Sequence, residues 1–145
     1  NAKNISSKIK TIIKEEISMR MDTIDAYNNF KKECELSKES FTKKILKHKN
    51  EGKKICGYAA TAKSSTVLNY CKIGKDIIDF IADSTNEKVG KFSPGMHIPI
   101  VSIEEFQKKK PDVAILFAWN HKEEILEKEK NFSKEGGIWL SHVRN

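Results

Sequence analysis

The stretch at residues 55–68, ICGYAATAKSSTVL, constrains the fold more than any other part of the chain. It begins as a buried strand, passes through a turn of small residues, and continues as a helix whose first turn carries hydroxyls and one lysine. Small residues let a backbone approach a ligand, and free N–H groups at a helix start attract anions. The pattern predicts a phosphate-binding strand–loop–helix. An ordinary strand–helix turn with a Ser or Thr cap is the alternative, because both Walker spacing and a full dinucleotide fingerprint are missing.

From residue 53 onward, strand and helix patterns alternate. Strands are predicted at residues 54–58, 77–82, 97–101, 113–118 and 138–141, and helices at 64–71, 102–109 and 122–134. Pro99 within the third strand predicts an edge position, because proline cannot donate to a ladder. Alternation of this kind predicts an α/β fold with a mostly parallel sheet and helices on both faces.

The first part of the chain has a different pattern. Isoleucines at helical spacing, beginning at Ile5, predict one helix over about residues 3–22, and a second stripe predicts another over about 23–50, ended by Gly52. We therefore divide the chain into a helical connector at 1–52, whose second helix packs on the sheet, and an α/β domain at 53–145.

Composition narrows the class of protein. The net charge of +7 comes from 27 Lys and Arg against 20 Asp and Glu, but the lysines are scattered among glutamates as on solvated helix faces, so we expect no nucleic-acid partner. No apolar run is long enough for a bilayer, so we expect no membrane partner. Three cysteines without ligand spacing predict a reduced cytoplasmic protein with no metal site.

Three blocks of the second part, in order, resemble one known family. The first has GYAATAK at 57–63, LNYC at 68–71 and IG at 73–74. The second runs from Asp83 through KVGK at 88–91 into SPGMHIPI at 93–100, and the third has PD at 111–112, FAWNH at 117–121 and EI at 124–125. Together they resemble the C-terminal domain of S-adenosylmethionine-dependent sugar C-methyltransferases, which methylate a carbon of a nucleotide-linked deoxysugar. Family members usually have glycine where this chain has Ala59.

The resemblance implies a Rossmann-like domain that is one part of a longer enzyme. Zinc-binding and S-adenosylmethionine-binding domains would precede it in the same polypeptide, and this chain would bind no cofactor of its own. Its partner would be a nucleotide-diphosphate sugar, which it would position for methyl transfer by the upstream domain. We expect no activity from the isolated domain and assign no catalytic residue, although His97 and His121 are the only candidate bases near the crevice.

Nine residues are candidates for substrate binding: Tyr58, Thr61, Lys63, Ser64, Ser65, His97, Trp119, Asn120 and His121. Lys63 at the helix start is the main candidate for a pyrophosphate contact. The hydroxyls of the two serines and the threonine would donate to phosphate or cap the helix. Since the loop after the strand at 113–118 and the loop after 54–58 both follow parallel strands, we expect Trp119, Asn120 and His121 on the same rim as Lys63.

Several of these residues have a second interpretation. Tyr58 would stack on a base or sugar, or be a half-buried core aromatic. His97 would bond a ligand or, more simply, pin its loop, and Asn120 would read a ligand edge or cap the following helix. Asp83 ends a strand where dinucleotide folds place a ribose-binding acid, but it would equally cap a turn.

Two other classes of function remain open at this point. One is a free-standing regulatory module that binds a nucleotide or CoA. The other is a docking domain that contacts no ligand.

Overall fold

The fold centres on a five-stranded parallel sheet in a computed structural model, which describes residues 6–143. The order is β3-β2-β1-β4-β5, and every neighbouring pair is parallel. The strands are β1 Ile55–Tyr58, β2 Ile81–Ala82, β3 Ile100–Val101, β4 Val113–Leu116 and β5 Ile138–Leu140. The predicted α/β class and the edge position of β3 are confirmed.

The helices follow the predicted order. They are α1 Ser7–Ser18, α2 Ile24–Asn50, α3 Ala62–Cys71, α4 Ile103–Lys109, α5 Lys122–Lys128 and α6 Lys130–Lys134, with one 3-10 turn at Trp119–His121. The chain divides into two compact units, and the boundary between Ser37 and Lys38 lies inside α2. The unit that contains the sheet therefore includes the last part of α2, which the sequence assigned to the connector.

Within the first unit, α1 carries four isoleucines that are between 44% and 54% exposed: Ile9, Ile12, Ile13 and Ile17. Ile5, which began the predicted stripe, lies outside the described residues. Arg20, in the turn between α1 and α2, forms an ion pair with Asp25 in the first turn of α2 at 3.2 Å. No helix within residues 6–143 combines the length and apolar character needed to cross a membrane.

Strand alternation builds two apolar layers in the second unit. Ile55 and Gly57 of β1 face one side, with Phe41 and Ile45 of α2 and Leu68 of α3 in the same layer. Gly57 is needed there because a Cβ would lie 2.8 Å from the Phe117 ring and 3.0 Å from Ile81. On the opposite side α4, α5 and α6 cover the sheet, so helices pack on both faces as predicted.

Tyr58 belongs to the second layer and not to the ligand-facing rim. Its ring is 5% exposed and packs edge-on against Phe106 and Trp139, at 5.3 and 5.4 Å between centroids. Its hydroxyl donates to Oε1 of the buried Glu129 at 2.8 Å, and Gln107 donates to Oε2 at 3.1 Å. Burial, followed by the bond to this carboxylate, raises the pKa of the Tyr58 hydroxyl. Tyr58 is therefore a core aromatic residue, and its ring is too enclosed to stack on a ligand.

Three predicted elements differ from the structure. The strand predicted at 97–101 is shortened to β3, Ile100–Val101, because the backbone at His97 has a φ of +51° and is not extended. The strand predicted at 77–82 is reduced to β2, because the N–H groups of Ile77 and Ile78 both bond to the carbonyl of Gly74 in a turn. The helix predicted at 122–134 is two helices, because the backbone leaves helical geometry at Glu129 (φ −102°, ψ 31°). That break accompanies the inward placement of the Glu129 carboxylate.

We expect the hydrogen bond from Tyr58 to Glu129 to stabilise the fold. Tyr58→Phe removes a donor from a buried carboxylate and should lower the free energy of unfolding by about 1.5–3 kcal/mol, as measured by urea denaturation. Tyr27→Phe is the matched control, because the Tyr27 side chain is 58% exposed and should leave the stability unchanged. Equal stability of both variants would contradict a structural role for the Tyr58 hydroxyl.

Candidate functional site

The candidate site lies where the direction of the strand order reverses. From β1 the chain moves outward to β2 and β3, then returns to the other side of β1 to form β4 and β5. The loops that leave β1 and β4 therefore diverge on either side of a crevice at the carboxyl ends of two neighbouring strands. Open α/β sheets bind their ligands at such a switch point.

The loop after β1 reaches the start of α3 through an unusual backbone. Ala59 has a φ of +74°, in the left-handed region where glycine fits without cost. Ala59 therefore adopts the backbone conformation that a glycine at this position, as in the family that the sequence resembles, would favour. For a residue with a Cβ, this conformation costs roughly 1–2 kcal/mol of folding free energy. The N–H of Ala59 bonds to the Ala82 carbonyl at 2.7 Å, which helps to hold this conformation.

The hydroxyls at the start of α3 form a capping box. Oγ1 of Thr61 accepts from the Ser64 N–H at 3.2 Å, and Oγ of Ser64 accepts from the Thr61 N–H at 3.0 Å. Ser64 is buried, so its hydroxyl serves the cap. Ser65 is partly exposed, and its part in phosphate binding stays a prediction. The N–H groups of Ala62 and Lys63 lie in the first turn of α3, where a helix has no carbonyl of its own to accept from them.

Lys63 meets the opposite loop. Its Nζ donates to Oδ1 of Asn120 at 2.7 Å and lies 5.2 Å from the centroid of the Trp119 ring. The shared rim expected from the strand directions is therefore present. Asn120 does not cap α5, since its side-chain oxygen is bonded to Lys63 and the residue at the cap position is His121, with no side-chain cap bond.

The two histidines are both at the surface. Nδ1 of His121 lies 3.8 Å from the exposed Glu124 carboxylate, one helical turn along. His97 is exposed, has a φ of +51°, and its backbone N–H bonds to the Ser93 carbonyl at 3.0 Å. A role for either imidazole as a base stays a prediction.

Asp83 ties the loops after β1 and β2 together. Its Oδ2 accepts from the Ala60 N–H at 2.6 Å and from Lys88 Nζ at 3.2 Å, while Oδ1 accepts from the Thr85 N–H at 2.8 Å. Lys88 Nζ also donates to the Ala60 carbonyl at 2.8 Å. Burial on its own would raise the pKa of this carboxyl, but the bonds from Thr85, Lys88 and Ala60 outweigh it and hold the pKa below its usual range. Asp83 therefore holds the loops after β1 and β2 together, which goes beyond the turn-capping role that the sequence allowed. We call this arrangement the Asp83 clamp.

A groove of about 340 Å³ runs along the β2 side of the α3 start. One wall is formed by residues 60–62 and 64–65, and the other by Lys88 and residues 91–94. The amide of Asn69 holds the second wall by donating to the Pro94 carbonyl at 3.0 Å. Gly95 makes that contact possible, because its φ is +80° and a Cβ would overlap the Asn69 amide. The groove contains side chains that sequence reasoning did not select: Lys88, Lys91, Phe92 and Ser93. The signal in the sequence for an ordered loop here is the concentration of glycine and lysine at residues 88–95.

The rim and groove consist of cationic, amide, hydroxyl and aromatic groups. Among residues 6–143, no group of three or more His, Cys, Asp or Glu side chains is placed to hold a metal ion. Such a surface is chemically suited to an anion with an attached ring.

The Asp83 clamp makes a prediction about stability and pH. Asp83→Asn should lower the free energy of unfolding at pH 7 by about 1.5–3 kcal/mol, because it removes the charge from three hydrogen bonds. Since the folded pKa is lowered, this contribution is complete at neutral pH and should shrink as the pH falls below about 4. Thermal or urea unfolding from pH 7 to 2.5 checks it, with Asp79→Asn as the control, because Asp79 is half exposed and 3.9 Å from its nearest cation, Lys49. A difference between wild type and D83N that does not depend on pH would contradict the clamp.

Comparison with known proteins identifies the family. The profile of the family described as C-methyltransferase C-terminal domain matches residues 1–143. The chain is also similar to C-methyltransferase NovU of Streptomyces niveus, with 41% identity over 90 residues. That alignment covers 62% of this chain and 21% of NovU, so the chain matches about a fifth of that relative's length. Because the profile match spans almost the whole chain, the chain belongs to the C-methyltransferase C-terminal domain family.

Proposed function

We propose that this domain binds a nucleotide-diphosphate sugar and positions it for C-methylation by another domain of the same enzyme. The observation that carries the proposal is the meeting of Lys63 with Asn120 and Trp119 across the switch point, in a member of a C-methyltransferase family. A crevice at that place in a parallel sheet is where such folds bind ligands.

The start of α3 suits a diphosphate for three reasons. The N–H groups of Ala62 and Lys63 belong to the first turn of α3, which has no intrahelical acceptors for them, the helix dipole adds partial positive charge, and the Lys63 ammonium adds a full one. Lys63 is bonded to a neutral amide, and a phosphate oxygen is a stronger acceptor because it carries negative charge, so that both partners of the bond are ionised. Phosphate would therefore replace Asn120 as the partner of Lys63, and the Asn120 amide would be released to donate to the ligand.

The proposed role is that of a holder. The methyl donor S-adenosylmethionine and any zinc would be bound by other domains of the polypeptide, as the limited coverage of NovU suggests. In the parent enzyme a base would take a proton from the sugar carbon next to a keto group. The resulting carbanion would take the methyl group of S-adenosylmethionine, which would leave as S-adenosylhomocysteine. Residues of this chain would bind the diphosphate and fix the orientation of the sugar. Holding the sugar close to the methyl donor in a reactive orientation would contribute to the rate of the reaction.

We place this function in the cytoplasm. Cys34, Cys56 and Cys71 are all in the thiol form, and burial raises the pKa of the Cys56 thiol, which makes it an unreactive core residue.

The proposal predicts the effect of removing the Lys63 charge. Lys63→Ala should weaken binding of a thymidine-diphosphate sugar by about tenfold or more, because a charge-assisted contact contributes roughly 1.5–3 kcal/mol. Isothermal titration measures this, and a circular dichroism melt should show an unchanged fold. Lys75→Ala is the control, because Lys75 is exposed in the turn after the opposite end of α3. Equal affinities for K63A and K75A would remove Lys63 from the site.

A second prediction concerns the donor. The domain lacks the glycine-rich loop and acidic ribose ligand typical of a donor site, and Asp83 is already bonded to Lys88 and two backbone N–H groups. Titration with S-adenosylmethionine at micromolar concentration should therefore give no binding signal. A clear signal would mean that this domain takes part in donor binding.

A further inference from the structure

We propose that the groove between residues 60–65 and 88–94 is the subsite for the nucleoside base, which stacks on the ring of Phe92. The inference rests on the proposed function, because it names the part of the ligand that this groove receives. It adds a second contact region to the phosphate site at Lys63.

The first observation is that the Phe92 side chain is exposed on an ordered backbone. Its side chain is 62% exposed although the segment that carries it is firmly held. Phe92 pairs with Pro99 in an antiparallel bridge, and the N–H groups of the flanking Ser93 and of Ile100 bond to the carbonyls of Ile98 and Lys91 at 2.8 Å. Leaving a phenylalanine ring in water forgoes the stabilisation that burial of its apolar surface would give. A ring presented on an ordered backbone at the edge of a groove is arranged to contact something.

The second observation is the position of the groove relative to the phosphate site. Lys63 reaches from the start of α3 toward the β4 side, whereas the groove lines the same helix start on the β2 and β3 side. A diphosphate at the first turn of α3 would therefore extend its two substituents in opposite directions. In dinucleotide folds of this strand order, the acid that ends β2 contacts the ribose, so the nucleoside lies on the β2 side. By that geometry the sugar to be methylated lies toward Asn120, and the base lies toward Phe92.

The third observation is the chemistry of the lining. Lys91 gives the groove a cationic wall, since the Lys88 ammonium is paired with Asp83, while Pro94 and Ile100 give it apolar ones. A volume of about 340 Å³ falls at the lower end of the range for small-molecule pockets, roughly 300–1,000 Å³. Asp83 is poorly placed to grip a ribose as in dinucleotide folds, because its side chain is only 6% exposed and already accepts from Lys88 and the N–H groups of Ala60 and Thr85. Stacking on Phe92 would then replace carboxylate recognition as the main contact to the nucleoside.

The test separates the base from the phosphates. Wild type, Phe92→Ala and Phe92→Tyr are titrated with thymidine diphosphate and with inorganic pyrophosphate. Loss of an aromatic stacking surface should weaken thymidine diphosphate binding by about tenfold. F92Y should stay close to wild type, since it keeps the ring, and pyrophosphate affinity should be equal in all three proteins. Phe30→Ala is the matched control, because Phe30 is 70% exposed in the first unit and should change neither affinity.

The outcomes distinguish the two proposals. If wild type binds thymidine diphosphate and K63A weakens it, but F92A does not, the subsite at Phe92 is overturned and the phosphate site stands. If F92A weakens pyrophosphate as much as thymidine diphosphate, Phe92 acts on the loop and not on the base, which also overturns the subsite. If wild type binds neither probe, the proposed function fails and the subsite fails with it.

Discussion

The parallel pairing of β1 with β4 is the constraint on which the candidate site depends. Four consecutive residue pairs, from Ile55 with Val113 to Tyr58 with Leu116, hold the two strands in register. This register ends both strands at the same level, so that the loops after them leave side by side. The contact of Lys63 with Asn120 spans 57 residues of sequence and exists only because of that pairing. A slip of the register by one residue would turn every side chain of β1 to the opposite face and displace the start of α3.

Asp83 has a comparable role on the other side of β1. The loop at Ala59 adopts a positive φ without the glycine that would make it inexpensive, and the short β2 offers only two residues to the ladder. The buried carboxylate offsets both weaknesses, because it bonds at once to the backbone after β1, to the backbone after β2, and to Lys88. The free-energy cost of the strained backbone at Ala59 and of the short β2 is thus offset by the charged hydrogen bonds of Asp83.

Sequence periodicity was sufficient for the sheet, the helices on both faces and the shared rim. These features depend on local pattern and on the handedness of strand–helix–strand crossovers, which apply to any such chain. Tyr58 was ambiguous for a different reason: its partner Glu129 lies 71 residues away, and the break between α5 and α6 that turns Glu129 inward has no sequence signal such as proline or glycine. The role of Asp83 and the display of Phe92 were also beyond prediction, because both depend on how loops from separate strands come together.

The central claim is that the two sides of the α3 start form one ligand surface. Backbone amide NMR of the uniformly ¹⁵N-labelled domain, titrated with a thymidine-diphosphate sugar, tests it most directly. The account predicts that the largest shift changes fall on residues 61–65, on Trp119, Asn120 and His121, and on the segment at 88–94. Shift changes confined to the opposite end of the sheet, around Pro111 and Gly136, would contradict it, as would an unchanged spectrum at millimolar ligand.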